Sequence, residues 1–266
     1  MSEIAYSPIA QGTPEVTGDP HFRYVLGLGD DNLVLAQRLG EWISRGPELE
    51  DDIALANFAI DHLGQARALL SHAGSIEGRG RTEDDLAMHR NERQYTNLLI
   101  CELPNGHFGD TIARALCIDA HQVLLWETLS SSKDTTLGGI AQKALREARY
   151  HLRYSSTWAV RLGDGTEESH DRMQQSIDRV WRFTGEMFAP DPVADAMAAD
   201  GVGVDATALY EPWRHSIEVV LSKATLAVPS ESMHRTGGRM GFHTDALGHM
   251  LAEMQWLARS MPEASW

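Results

Sequence analysis

His62, Asp119 and His151 are the residues of this 266-residue chain whose types and spacing could hold a metal. His151 closes the stretch ALREARYH, residues 144–151, within a run of helical periodicity. A dinuclear iron bundle would carry Glu-x-x-His there, because that spacing sets a carboxylate and an imidazole on one inward helix face. Here the position three before His151 is Ala148, and the nearest carboxylate, Glu147, lies one residue further back. The earlier stretch DHLGQAR offers His62 and Gln65 at the same spacing, with Asn32 thirty residues before it. Asp119 stands twenty-nine residues before Ala148.

Charge decides what these six positions could do. A di-iron centre takes one Glu from each of two helices and a Glu-x-x-His from each of two others. Asn32, His62, Gln65, Asp119, Ala148 and His151 offer one carboxylate, two imidazoles, two amides and a methyl group. Shifting the register to Asp61 and Glu147 recovers two carboxylates, but Asp61 falls on a polar edge with Glu50, Asn57 and Gly64. Two readings of the remainder stay open. His62, Asp119 and His151 form a 2-His-1-carboxylate set of the type that binds one Fe(II). Alternatively, buried polar groups satisfy one another by hydrogen bonds. The second is favoured, and no metal is expected.

Helices must position these residues. Helical periodicity dominates the chain and strand alternation is nearly absent, so the fold class is all-α. The pattern predicts helices over residues 30–44 and 48–73, then a third from a Thr82/Asp85 capping box to before Pro104. Others follow over 109–129, 135–162, 166–188, 207–227 and 244–259. On the second helix, Ile53, Ala56, Ile60, Leu63 and Leu70 make one apolar stripe, while Leu55, Phe58, His62, Gln65 and Leu69 make another. Burial of most of its circumference is therefore expected. On the fourth, Asp119 sits within Ile112, Leu116, Val123 and Trp126, where a carboxylate is costly unless it finds a partner. Residues 1–20 read as a disordered tail and 21–266 as a single domain.

A formal net charge of -15 argues against a nucleic-acid binder. No apolar run reaches the length of a membrane span, and the N-terminus lacks a signal pattern. Cys101 and Cys117 suit neither zinc nor redox motifs, which points to a reducing cytoplasm. Both read as buried small apolar residues, and Trp158, Trp181 and Trp256 as core or interface packing.

Four stretches carry a resemblance. LGDDNLVLAQRLGEWISRGPELEDDIALANFAIDHLGQARALL, NERQYTNLLICELPNGHFGDTIARALCIDAHQVLLW, EARYHLRYS and RTGGRMGFHTDALGHMLAEMQWL are similar to the C-subunit family of phenylacetyl-CoA epoxidase. That enzyme is the multicomponent ring-1,2-monooxygenase of phenylacetate degradation, and the resemblance runs from about Tyr24 to Trp266. It implies a ferritin-like helical bundle with additional C-terminal helices, acting as a structural subunit without catalytic residues or cofactor of its own. It implies as partners a di-iron catalytic subunit, a further small subunit and a reductase; because two similar folds can pair as identical subunits do, a homodimer is a further expectation when the chain is alone. In the catalytic relative, Asn32, His62, Gln65 and Ala148 would be Glu, Glu, His and Glu, whereas Asp119 and His151 match in type. The RTGG tract has two readings: Arg235 with Gly237 and Gly238 forms a lip for the partner, or the glycines make a tight turn before the last helix.

Overall fold

The computed structural model describes residues 6–9, 15–230, 233–261 and 263. The backbone is helical nearly throughout, in keeping with the periodicity. Its helices are α1 (Pro20–Gly40), α2 (Leu49–Glu77), α3 (Glu83–Met88), α4 (Leu99–Glu102), α5 (Phe108–Leu129), α6 (Thr135–Gly163), α7 (Glu167–Thr184), α8 (Pro192–Asp200), α9 (Tyr210–Lys223) and α10 (Asp245–Ser260). Two three-residue strands, β1 (Tyr6–Pro8) and β2 (His234–Thr236), pair in parallel. The chain divides into two compact units. One holds α1 to α4 and α10, and the other holds β1, α5 to α9 and β2.

Each unit is built on a helical hairpin. The α1–α2 pair is antiparallel, since His21 meets the His72 ring and Asn32 meets His62. The α5–α6 pair runs likewise: Phe108 packs edge-on against Trp158, Asp119 meets Ser155, and Glu127 pairs with Arg149. Short connections between long amphipathic helices favour this arrangement. Each hairpin thus sets a lone-ligand position of the sequence pattern, Asn32 or Asp119, beside its paired positions.

Several element boundaries differ from the sequence expectation. Helix α1 starts ten residues before Asp30, because Asp19 accepts from the His21 amide at 3.0 Å and Pro20 supplies a prearranged first turn. Helix α2 continues through Gly74 and ends at Gly78, whose φ of 68° is the left-handed cap. Gly74 has a packing role instead: a Cβ there would lie 2.3 Å from the Arg81 carbonyl oxygen. The Thr82/Asp85 capping box is present, yet its helix stops at Met88. Beyond it the backbone amides of Thr96 and Leu98 donate to Asp30 and Asp31, which holds that segment out of a helix. Helix α8 is an addition, started by the Asp191 cap and Pro192, a motif that reads in sequence only as a terminator.

Of the expected tail, Tyr6–Pro8 form β1, and residues 1–5 and 10–14 lie outside the described residues. The burial expected around α2 also needs correction. Leu55, Phe58, His62, Gln65 and Leu69 are buried, but Ile53, Ile60 and Leu63 are exposed. Among the tryptophans, Trp126, Trp181 and Trp213 are core, Trp158 is half-buried and Trp256 is exposed.

Candidate functional site

In the α1–α2 hairpin the sequence-predicted residues close a polar chain. Asn32 donates through Nδ2 to the Leu28 carbonyl oxygen at 2.8 Å, which orients Oδ1 outward from its own helix. His62 Nδ1 lies 2.9 Å from that Oδ1. Since Oδ1 can only accept, Nδ1 carries the proton and donates. Gln65 is buried one turn further along α2. The Asn32 amide thus fixes the tautomer of the neighbouring imidazole.

In the α5–α6 hairpin Asp119 is the buried carboxylate. Ser155, one turn beyond His151, donates its hydroxyl to Asp119 Oδ2 at 2.7 Å. Burial pushes the Asp119 carboxyl up to about 6, against the opposing charge of His151 and the Ser155 hydrogen bond. Ala148 and His151 are both buried beside it on α6. Cys117, two residues before Asp119, is pushed up to about 12 by burial and then by the aspartate charge, so its thiol stays protonated and unreactive. Glu147 points to Lys143, 3.6 Å away. His62 belongs to one unit and Asp119 with His151 to the other, and each has polar neighbours within its own hairpin.

Ser155 lies outside the set that the sequence pattern predicts. A signal for it exists: a hydroxyl at i+4 from His151, on the face that already holds an imidazole.

A second polar cluster also escapes sequence reasoning. Asp30 lies wholly buried in the middle of α1, ion-paired with Arg90 through two nitrogens. Asp31 is paired with Arg239, whose Nη2 donates to Oδ2 at 2.7 Å while Nη1 donates to the Gly27 and Thr96 carbonyl oxygens. Burial pushes the Asp31 carboxyl up, and the Arg239 charge pulls it back. Glu102 accepts from the Thr244 amide at 2.6 Å and from Asn97 Nδ2 at 3.0 Å, and its Oε2 lies 2.8 Å from His243 Nδ1.

These contacts give the RTGG tract an internal task. Gly237 has φ 145° and Gly241 φ 73°, and a Cβ on Gly238 would sit 2.1 Å from the Asn97 carbonyl oxygen. The tight turn delivers Arg239 to Asp31 and His243 to Glu102, which ties the start of α10 to α1 and α4. Arg235 is exposed.

Among the described residues, no helix is long and apolar enough to cross a membrane. Comparison with known proteins adds identity to this geometry. The chain is 51% identical over 243 residues to the C subunit of 1,2-phenylacetyl-CoA epoxidase of Escherichia coli (strain K12), which covers 91% of this chain and 98% of that protein. The family model described as Phenylacetic acid catabolic protein matches residues 6–266, and the helical hairpins agree with its ferritin-like fold. The chain belongs to the phenylacetic acid catabolic protein family.

Proposed function

We propose that the chain is a non-catalytic supporting subunit of a phenylacetyl-CoA epoxidase assembly in phenylacetate breakdown. The observation that carries this reading is the donor set on the two hairpins. Asn32, His62, Gln65, Asp119, Ala148 and His151 supply one carboxylate, and that one is already bonded to Ser155. A di-iron centre needs four carboxylates to neutralise and bridge its ions. These residues do not fit the group. Oxygen activation therefore belongs to a separate di-iron catalytic subunit, with a further small subunit and a reductase completing the assembly. The chain itself works in the cytoplasm, without a metal or cofactor of its own.

Burial of Asn32, His62, Asp119 and His151 in hydrogen-bonded or charge-balanced positions gives the inherited site a structural use. Polar core groups of this kind are tolerated when each finds a partner. The test is to co-express the chain with the catalytic subunit, purify the complex, and measure iron and phenylacetyl-CoA turnover with and without this chain. A catalytic subunit that is soluble and fully active alone overturns the supporting role. One tightly held iron on the isolated chain would instead establish the mononuclear alternative at His62, Asp119 and His151.

A further inference from the structure

Helix α2 carries two apolar seams, and the described residues cover only one. Leu49, Ile53, Ala56, Ile60 and Leu63 recur in alternating steps of four and three residues, the 3.5-residue period of a coiled-coil seam. Leu49 is 70% exposed, Ile53 52%, Ile60 65% and Leu63 48%. The inward seam of Leu55, Phe58, His62, Gln65 and Leu69 follows the same steps and is buried in the α1–α2 hairpin. A single exposed leucine is ordinary on a protein surface, but four large apolar side chains in register on one helix form a patch. From Leu49 to Leu63 the seam runs roughly 21 Å at the helical rise. It ends at Arg67, which pairs with Glu83 at 3.1 Å.

Gly64 marks the same face independently. It lies in the interior of α2 beside Leu63, and a Cβ built there meets nothing within 4 Å. Glycine weakens a helix interior relative to alanine, and among the described residues no close contact requires it at this position. A helix laid along the seam from outside would gain from it, because the missing side chain lets two backbones approach.

Charge identifies the occupant. Glu48 and Glu50 are exposed and Asp52 is half-exposed at the Leu49 end of the seam. A second copy would add another net charge of -15 to this one. We propose that the outer face of α2 docks one helix of a partner subunit, apolar at 3.5-residue spacing and bearing Lys or Arg where it meets Glu48, Glu50 and Asp52. This inference rests on the supporting-subunit reading and assigns that reading a surface. One helix seam is smaller than a stable interface, so it forms part of a larger contact.

The test uses the full-length chain with the co-expressed catalytic subunit, and titrates binding for the wild type and for Ile60→Glu, Gly64→Leu and the double variant Glu48→Lys/Glu50→Lys. The altered side chains are exposed, and thermal unfolding of each free variant checks that the fold is kept. Ile60→Glu and Gly64→Leu should each weaken binding by roughly 30-fold or more, as loss of a central anchor does. The charge reversal should weaken it several-fold and lessen its salt dependence. If the wild type binds and Ile60→Glu binds within about threefold of it, the seam is wrong while the supporting role stands. If the wild type captures no catalytic subunit, the supporting role fails and the seam falls with it. If the chain alone sediments as a dimer that Ile60→Glu dissociates while binding of the catalytic subunit is unchanged, the occupant is a second copy and the proposal is overturned.

Discussion

Asp119 holds a buried carboxyl whose cost depends on pH. Its folded value of about 6 lies above the ordinary 3.8. Below 3.8 the group is protonated in both states and contributes nothing. Between 3.8 and 6 the folded state holds the proton more tightly, so stability falls as pH rises; above 6 the penalty is constant at about 3 kcal/mol. Asp119→Asn keeps an acceptor for Ser155 and removes the charge. Urea unfolding of the wild type and this variant at pH 4 and pH 7.5 should shift the difference towards the variant by up to about 3 kcal/mol. A pH-independent difference would mean that the carboxyl is solvated. Asn32→Leu acts the other way, since it strands the His62 N–H in the core. It should cost about 1–3 kcal/mol in the same measurement. Asp119 is legible in sequence because a carboxylate inside an apolar stripe demands an explanation. Ser155 is legible only through its i+4 spacing from His151, because a serine in a helix is common and its neighbour across the hairpin gives it its role.

At the scale of elements, the glycine-rich turn after β2 exists to place Arg239 and His243. Arg239→Ala leaves Asp31 buried without its main partner and should destabilise the unit by about 3 kcal/mol or more. Arg239→Lys should recover little, because a single ammonium cannot reach Asp31 and two carbonyl oxygens from one planar fork. Thermal unfolding of both variants checks this, and full recovery by lysine would show that charge alone suffices. Periodicity makes the long helices α2, α5 and α6 readable to within a few residues. It fails where a distant charge overrides local preference. Asp30 and Asp31 look like a helix start until Arg90 and Arg239, far away in sequence, are seen to neutralise them inside one. The same contacts draw residues 95–98 into an extended path that the sequence reads as helix. The second seam of α2 reads as core because apolar spacing reports a face that seeks a partner, without saying whether the partner is in the same chain.

At the scale of the whole molecule, the proposal is that a fold shared with an iron-bearing oxygenase subunit persists here as support. Protein purified from iron-supplemented cells should hold well under one iron per chain by elemental analysis. The donor set leaves too little negative charge to hold two ions. The catalytic consequence is sharper. The measurement that tests it most directly is phenylacetyl-CoA turnover by the reconstituted complex in which this chain carries both His62→Gln and His151→Gln, with complex formation verified by sedimentation. An intact complex with turnover within about twofold of the unaltered one is expected, since a metal-site residue would cost orders of magnitude. An intact complex whose turnover is abolished would contradict it and place chemistry in this chain.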